Sequence, residues 1–183
     1  TTIPSGTRPD ARPALRAALC RDEGPIGSLY GYAAPWKDTA GLIGACEKVT
    51  APCRVLLAGP FWNNRHEAGT DLSGETSGGV RHGAVHVEII PSYLGPPERK
   101  ALVLGTHFAV FPYKHQPTFQ GSGAIADYLA HGVPVLGTNV ANMAELVGDA
   151  GLITEPADHE ALADGLERLA TDERYPDRLS RNA

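Results

Sequence analysis

Short apolar runs alternate with helix-period segments along almost the whole chain, and few folds accept that pattern. The runs Ile26 to Ala33 (IGSLYGYA), Arg54 to Gly59 (RVLLAG), Val85 to Ile90 (VHVEII), Thr106 to Phe111, Val133 to Gly137 and Gly151 to Thr154 read as strands. The second of these is apolar without alternation, as expected of a strand buried on both faces. Between them, Thr39 to Val49 places Leu42, Ile43, Cys46 and Val49 on one helical face. Pro97 to Leu104, Gly123 to His131 (stopped by Gly132) and Asn142 to Val147 read as further helices. The clearest helix is Asp158 to Ala170, with Asp158 as N-cap and Leu162, Leu166 and Leu169 forming its stripe. Strand–helix alternation implies an α/β fold with a doubly wound, mostly parallel, Rossmann-like sheet. Such sheets bind ligands beyond the carboxyl ends of their strands, at a switch point.

Size and charge narrow the function. A chain of 183 residues is expected to form one domain with a proper core. Its formal net charge of −5 argues against nucleic acid as a partner. Arg8, Arg12 and Arg16 recur at helical spacing, but Pro9 and Pro13 interrupt them, and the three read as solvated surface. No apolar run approaches the roughly 20 residues of a membrane span, and no signal segment opens the chain. Cys20, Cys46 and Cys53 lack the spacing of zinc or redox sites and read as buried, inert thiols in a reducing, cytoplasmic setting. Phe61 to Gly83 is polar and aperiodic, with at most a weak helix over Arg65 to Leu72, as functional or mobile segments often are. The chain opens at Thr1 without Met and closes on Leu179 to Ala183, so a longer parent protein is expected.

The segment most suggestive of chemistry is Pro112 to Asn139 (PYKHQPTFQGSGAIADYLAHGVPVLGTN). A strand ends, a loop follows, and Gly121-Ser122-Gly123 opens a helix. Glycines allow close approach of the backbone, and the first amides of a helix lack partners within it. With the positive end of the dipole, the amides around Gly121, Ser122, Gly123 and Ala124 suit a diphosphate. Ser122 reads equally as a plain N-cap, and the two roles are compatible.

This segment, together with MAELVGDAGLITEPADHEALADGLERLATD, YGYAAPWK, RVLLAGP and Thr2 to Gly6, resembles the carboxyl-terminal half of retaining glycosyltransferases of GT-B architecture. The match is to group 1, or family four, which uses nucleotide-diphosphate sugars, and it covers nearly the whole chain except Phe61 to Gly83. The resemblance implies a single nucleotide-sugar-binding domain spanning 1–183, with the acceptor, a sugar or a lipid-linked molecule, held by an amino-terminal domain outside this chain. It implies that Lys37 grips the donor diphosphate and that Asp127, standing where the family has the second of two glutamates, supports the ribose. It also implies nucleobase contact with the backbone of Ile90 to Tyr93.

Two departures stand out. Tyr32 occupies the position of a family arginine, so a second cation is missing or comes from elsewhere; Phe119 replaces the first glutamate, leaving Gln116 or Gln120 to bond a sugar hydroxyl. Lys37 also has a bottom-up case, since a compact cation beyond a strand can neutralise a leaving phosphate. No acidic pair suggests a metal, and no cofactor is expected beyond the donor substrate. His82 and His86 lie four apart at a strand start without a third ligand, and read as structural or surface residues. His115 precedes the glycines within reach of a phosphate, while Glu145, with Thr138 ahead of it, reads as either a site acid or a helix-surface acid. The full-length protein is thus expected to transfer sugar with retention, this chain alone binding nucleotide without turnover. A sugar-nucleotide epimerase and a non-catalytic nucleotide-sugar sensor are the rival readings.

Overall fold

The computed structural model describes residues 12–20, 24–32, 34–60, 79–115, 122–172 and 179. Among them a seven-stranded sheet runs through the molecule in the order β3-β4-β2-β1-β5-β6-β7. Its strands are β1 (Ile26–Tyr30), β2 (Cys53–Ala58), β3 (Val80–His82), β4 (Val85–Ile90), β5 (Phe108–Phe111), β6 (Val135–Thr138) and β7 (Gly151–Thr154). All neighbours pair in parallel except β3, which forms an antiparallel hairpin with β4. The Rossmann-like expectation therefore holds.

The helices are α1 (Arg12–Leu19), α2 (Thr39–Cys46), α3 (Pro96–Leu104), α4 (Gly123–Ala130), α5 (Met143–Val147) and α6 (His159–Thr171). α2 packs with α6, α1 with α3, and α4 with α5. β1, β2, β5 and β6 are buried along their whole length. That burial explains their unbroken apolar runs, because helices cover both faces of a parallel sheet. Among the described residues no helix is long and apolar enough to cross a membrane.

Chain order locates the switch point. From β1 the chain moves through α2 to β2 and on to β4. It then returns over α3 to β5, on the other side of β1, and continues to β6 and β7. The crevice therefore opens between the carboxyl ends of β1 and β5. A buried hydroxyl network fixes α4 there: Ser28 Oγ lies 2.7 Å from Thr106 Oγ1 and 2.6 Å from the Tyr128 hydroxyl.

Three features differ from the sequence reading. Arg12–Leu19 forms a helix, α1, which the interrupted arginine spacing did not predict; it buries Leu15 and Ala18, and Arg16 is exposed, in keeping with the surface reading. Pro13 is harmless in its first turn, where the missing N–H has no acceptor. The tail of the polar stretch is a short edge strand, β3, with Val80 and Arg81 exposed. The suggested helix over Arg65 to Leu72 lies outside the described residues. Finally, Cys20 is exposed, whereas burial pushes the Cys46 and Cys53 thiols up to about 12.

Candidate functional site

The floor of the crevice is made by two glycine turns. Gly31, at φ +111, follows β1 and donates its amide to Ala58 O at 2.9 Å; Gly59, at φ +148, follows β2 and donates to Ile90 O at 2.9 Å. A Cβ on Gly59 would stand 1.9 Å from Gly31 O, so glycine is required both by conformation and by the closeness of the two turns.

Two loops meet above this floor. Lys37 and Tyr113 form an antiparallel bridge; the Asp38 amide donates to Pro112 O at 2.6 Å, and the Lys114 amide to Trp36 O at 2.7 Å. Thr138, at the end of β6, secures the second loop: its hydroxyl accepts from the Tyr113 amide (2.9 Å) and donates to the Tyr113 carbonyl (2.8 Å). Thr138 is thus a buried support for that loop, while Glu145 is exposed on α5.

Lys37 sits between the loops, 7% exposed. Its Nζ donates to Tyr30 O at 3.4 Å and stands 5.9 Å from the centre of the Tyr113 ring. Among the described residues no carboxylate pairs with it, and burial pushes its amine down to about 8. A buried ammonium without a counter-ion is costly for the fold and well prepared for an anion.

α4 begins beside it. Ser122 occupies the N-cap position without making a cap hydrogen bond, and its Oγ lies 3.4 Å from the Tyr113 hydroxyl. A Cβ on Gly123 would meet nothing within 4 Å, so the space over the helix start is open. Gly121 and Gln120 lie outside the described residues, as do Gln116 and Phe119.

Gly123, Ala124, Asp127 and His131 line one side of a groove of about 580 Å³, faced by Tyr30 and Arg99. Asp127 accepts from the Tyr30 hydroxyl at 2.7 Å, and His131 Nδ1 lies 3.6 Å from its other oxygen. Burial, then the Asp127 carboxylate, raises the Tyr30 hydroxyl well above its ordinary range, so it remains a donor. Past Arg99 the groove continues into a slot between Gly31, Gly59, Tyr93 and Leu94, at the ends of β1, β2 and β4.

Arg99 and Tyr30 are the functional candidates that sequence reasoning missed. Arg99 lines both compartments beside the Tyr30 hydroxyl, its Nε is buried without a partner, and no carboxylate pairs with it among the described residues. One signal was available: Arg99 follows Pro96-Pro97-Glu98 at a helix start, where the dipole disfavours a cation. His115 is exposed at the edge of the second loop. His82 lies 3.7 Å from Glu47, and no cluster of three or more His, Cys, Asp or Glu suited to a metal occurs among the described residues.

A parallel sheet with a cationic crevice at its switch point admits many nucleotide-binding proteins. The family model for group 1 glycosyl transferases decides among them, matching residues 26–172. The chain belongs to the group 1 glycosyltransferases. Sequence comparison with curated proteins gives no significant match. Among solved structures, the glycosyltransferase domain resembles HepE from Anabaena in complex with UDP (TM-score 0.72, 18% identity, 96% of this chain and 47% of that one). It also resembles the C-terminal domain of the group 1 protein LpcC from Francisella tularensis (TM-score 0.71, 14% identity, 95% and 89%). A third is the catalytic domain of cholesterol-α-glucosyltransferase from Helicobacter pylori (TM-score 0.67, 14% identity, 87% and 94%). At these identities the likeness establishes the fold. The chain spans just under half of HepE and nearly all of the two single-domain structures.

Proposed function

We propose that this chain is the donor-binding domain of a retaining glycosyltransferase of GT-B architecture, taking a nucleotide-diphosphate sugar across the carboxyl ends of β1 and β5. The observation that carries the reading is a groove at the switch point lined by the open helix start (Gly123, Ala124), a carboxylate one turn further on (Asp127) and Tyr30, with the buried Lys37 ammonium, which has no carboxylate partner among the described residues, behind it against the Tyr30 carbonyl and the Tyr113 ring. In this reading the diphosphate lies against Lys37 and the α4 amides, with Gly121 and Gln120 just before them. Asp127 accepts from the ribose hydroxyls, held by Tyr30, and the base enters the slot beside Tyr93. Arg99 supplies the second cation, from α3 instead of from the turn after β1.

Breaking the glycosidic bond leaves negative charge on the departing phosphate. Donors already in place stabilise that charge more than they stabilise the ground state. An amine lowered to about 8 still carries its proton at neutral pH. The reading needs no metal for this step. The acceptor, a sugar or lipid-linked molecule, belongs to a second domain, so this chain alone binds nucleotide and turns nothing over.

UDP is the nucleotide to try first, because HepE has been solved with it. Calorimetric titration of UDP into the parent, Lys37→Ala and Asp127→Asn is the test. Each substitution is expected to weaken binding at least about tenfold. If both bind like the parent, the site is misplaced. A non-catalytic sensor is the second reading, favoured by Phe119 where the family's first glutamate stands; sugar transfer by the full-length protein would exclude it.

A further inference from the structure

Asp38, next to Lys37, is tied far more tightly than helix capping requires. Its carboxylate is almost fully buried. Oδ1 accepts from the Gly41 amide at 3.2 Å, which alone would satisfy its place as the N-cap of α2. The same oxygen lies 3.0 Å from Lys114 Nζ, and Oδ2 lies 2.8 Å from His159 Nε2. Its amide donates to Pro112 O at 2.6 Å. Lys114 belongs to the loop after β5, and His159 opens α6. One carboxylate therefore joins the loop that carries Lys37, the loop that carries Tyr113, and a helix from the far end of the chain.

A neutral Ser or Asn would cap α2 as well as an aspartate does. Burying a carboxylate costs several kcal/mol unless its partners are well placed, so a simple cap gives no reason for the charge. The partners do give one. Lys114 and His159 are half-exposed side chains that reach inward to a single buried acceptor, and between them they tie the residue next to Lys37 to the loop after β5 and to α6. Lys37 itself has no carboxylate to hold it among the described residues, only the Tyr30 carbonyl and the Tyr113 ring.

We propose that Asp38 is the positioning residue of Lys37: by sharing its carboxylate between Lys114 and His159, it locks the loop after β1 against the loop after β5 and against α6, and so keeps the Lys37 ammonium inside the crevice. The inference rests on Lys37 being the diphosphate ligand. It adds that the ligand is held in place by α6, an element that does not reach the groove.

Two measurements on the same variants test it: calorimetric titration with UDP, and NMR titration of the Lys37 amine in chains carrying ¹³C-labelled lysine, assigned through Lys37→Arg. Asp38→Ala is expected to weaken UDP binding at least about tenfold. It should also move the Lys37 titration from about 8 back toward the ordinary 10.5, because the freed amine returns to water. The paired variant Lys114→Met with His159→Gln keeps the α2 cap and should shift both readouts in the same direction, which carries the test if Asp38→Ala fails to fold. Loss of stability alone would leave the Lys37 titration where it is. An unmoved titration with unchanged UDP affinity in a folded variant overturns the proposal. If the titration moves but Lys37→Ala binds UDP like the parent, the positioning stands and the assignment of Lys37 to the diphosphate falls.

Discussion

Lys37 gathers the site's electrostatic cost in one group. Its amine falls from 10.5 to about 8 on burial, a penalty of about 3 kcal/mol on the charged form. The folded chain holds this proton less firmly than the unfolded chain does, so stability should climb as pH rises from about 8 toward 10.5. Lys37→Met should lack that climb, be more stable than the parent at pH 7 and bind UDP poorly; urea unfolding at neutral and alkaline pH checks the first two. In the parent, bound diphosphate should draw the proton back, and UDP affinity should weaken above about pH 8. Calorimetry in buffers of differing ionisation heat would register that proton uptake. Lys37 and Asp127 were singled out in the sequence through the family resemblance, which sets a lysine after the first strand and a carboxylate in the glycine-opened helix. Arg99 and Tyr30 were not. They belong to separate segments, and only the folded sheet places them opposite α4.

At the scale of elements, two helix starts with the same kind of residue behave differently. Asp158 accepts from the Ala161 amide at 2.9 Å and caps α6, whereas Ser122 makes no cap bond. Asp158→Ala should therefore cost about 1 kcal/mol, and Ser122→Ala under about 0.5 kcal/mol, by chemical denaturation. Ser122→Ala should show itself in UDP affinity instead. Gly59→Ala should be far more damaging, on the order of 3 kcal/mol or more, because its Cβ would strike the Gly31 carbonyl in a backbone conformation that alanine avoids. Long periodic elements such as α6 and the apolar runs of β2 and β4 were read almost to the residue. α1 and β3 were missed for identifiable reasons. The two arginines and one proline of α1 hid a two-residue buried apolar face, and an edge strand of three residues, two of them polar, carries no period.

For the molecule as a whole, the groove belongs to the native state alone, and ligand binding should add to global stability. UDP at 100 times its dissociation constant should contribute roughly 2.7 kcal/mol, which for a chain of this size is a rise of roughly 5–10 °C in Tm. At the same UDP concentration the increment should fall to about half or less in Lys37→Ala if the assigned site is the one that binds. A rise of the same size in that variant would point to another site.

Strand–helix alternation depends on local spacing, and by itself it determined the layered α/β architecture, the end of the sheet at which such folds open a crevice, and the glycine-opened helix beside it. The tertiary structure alone decided which charges share that space. Arg99 comes to it over α3, and Asp38 is held by partners 76 and 121 residues away. Contacts over such distances arise from how crossovers stack around a sheet, and no local pattern of residues encodes them.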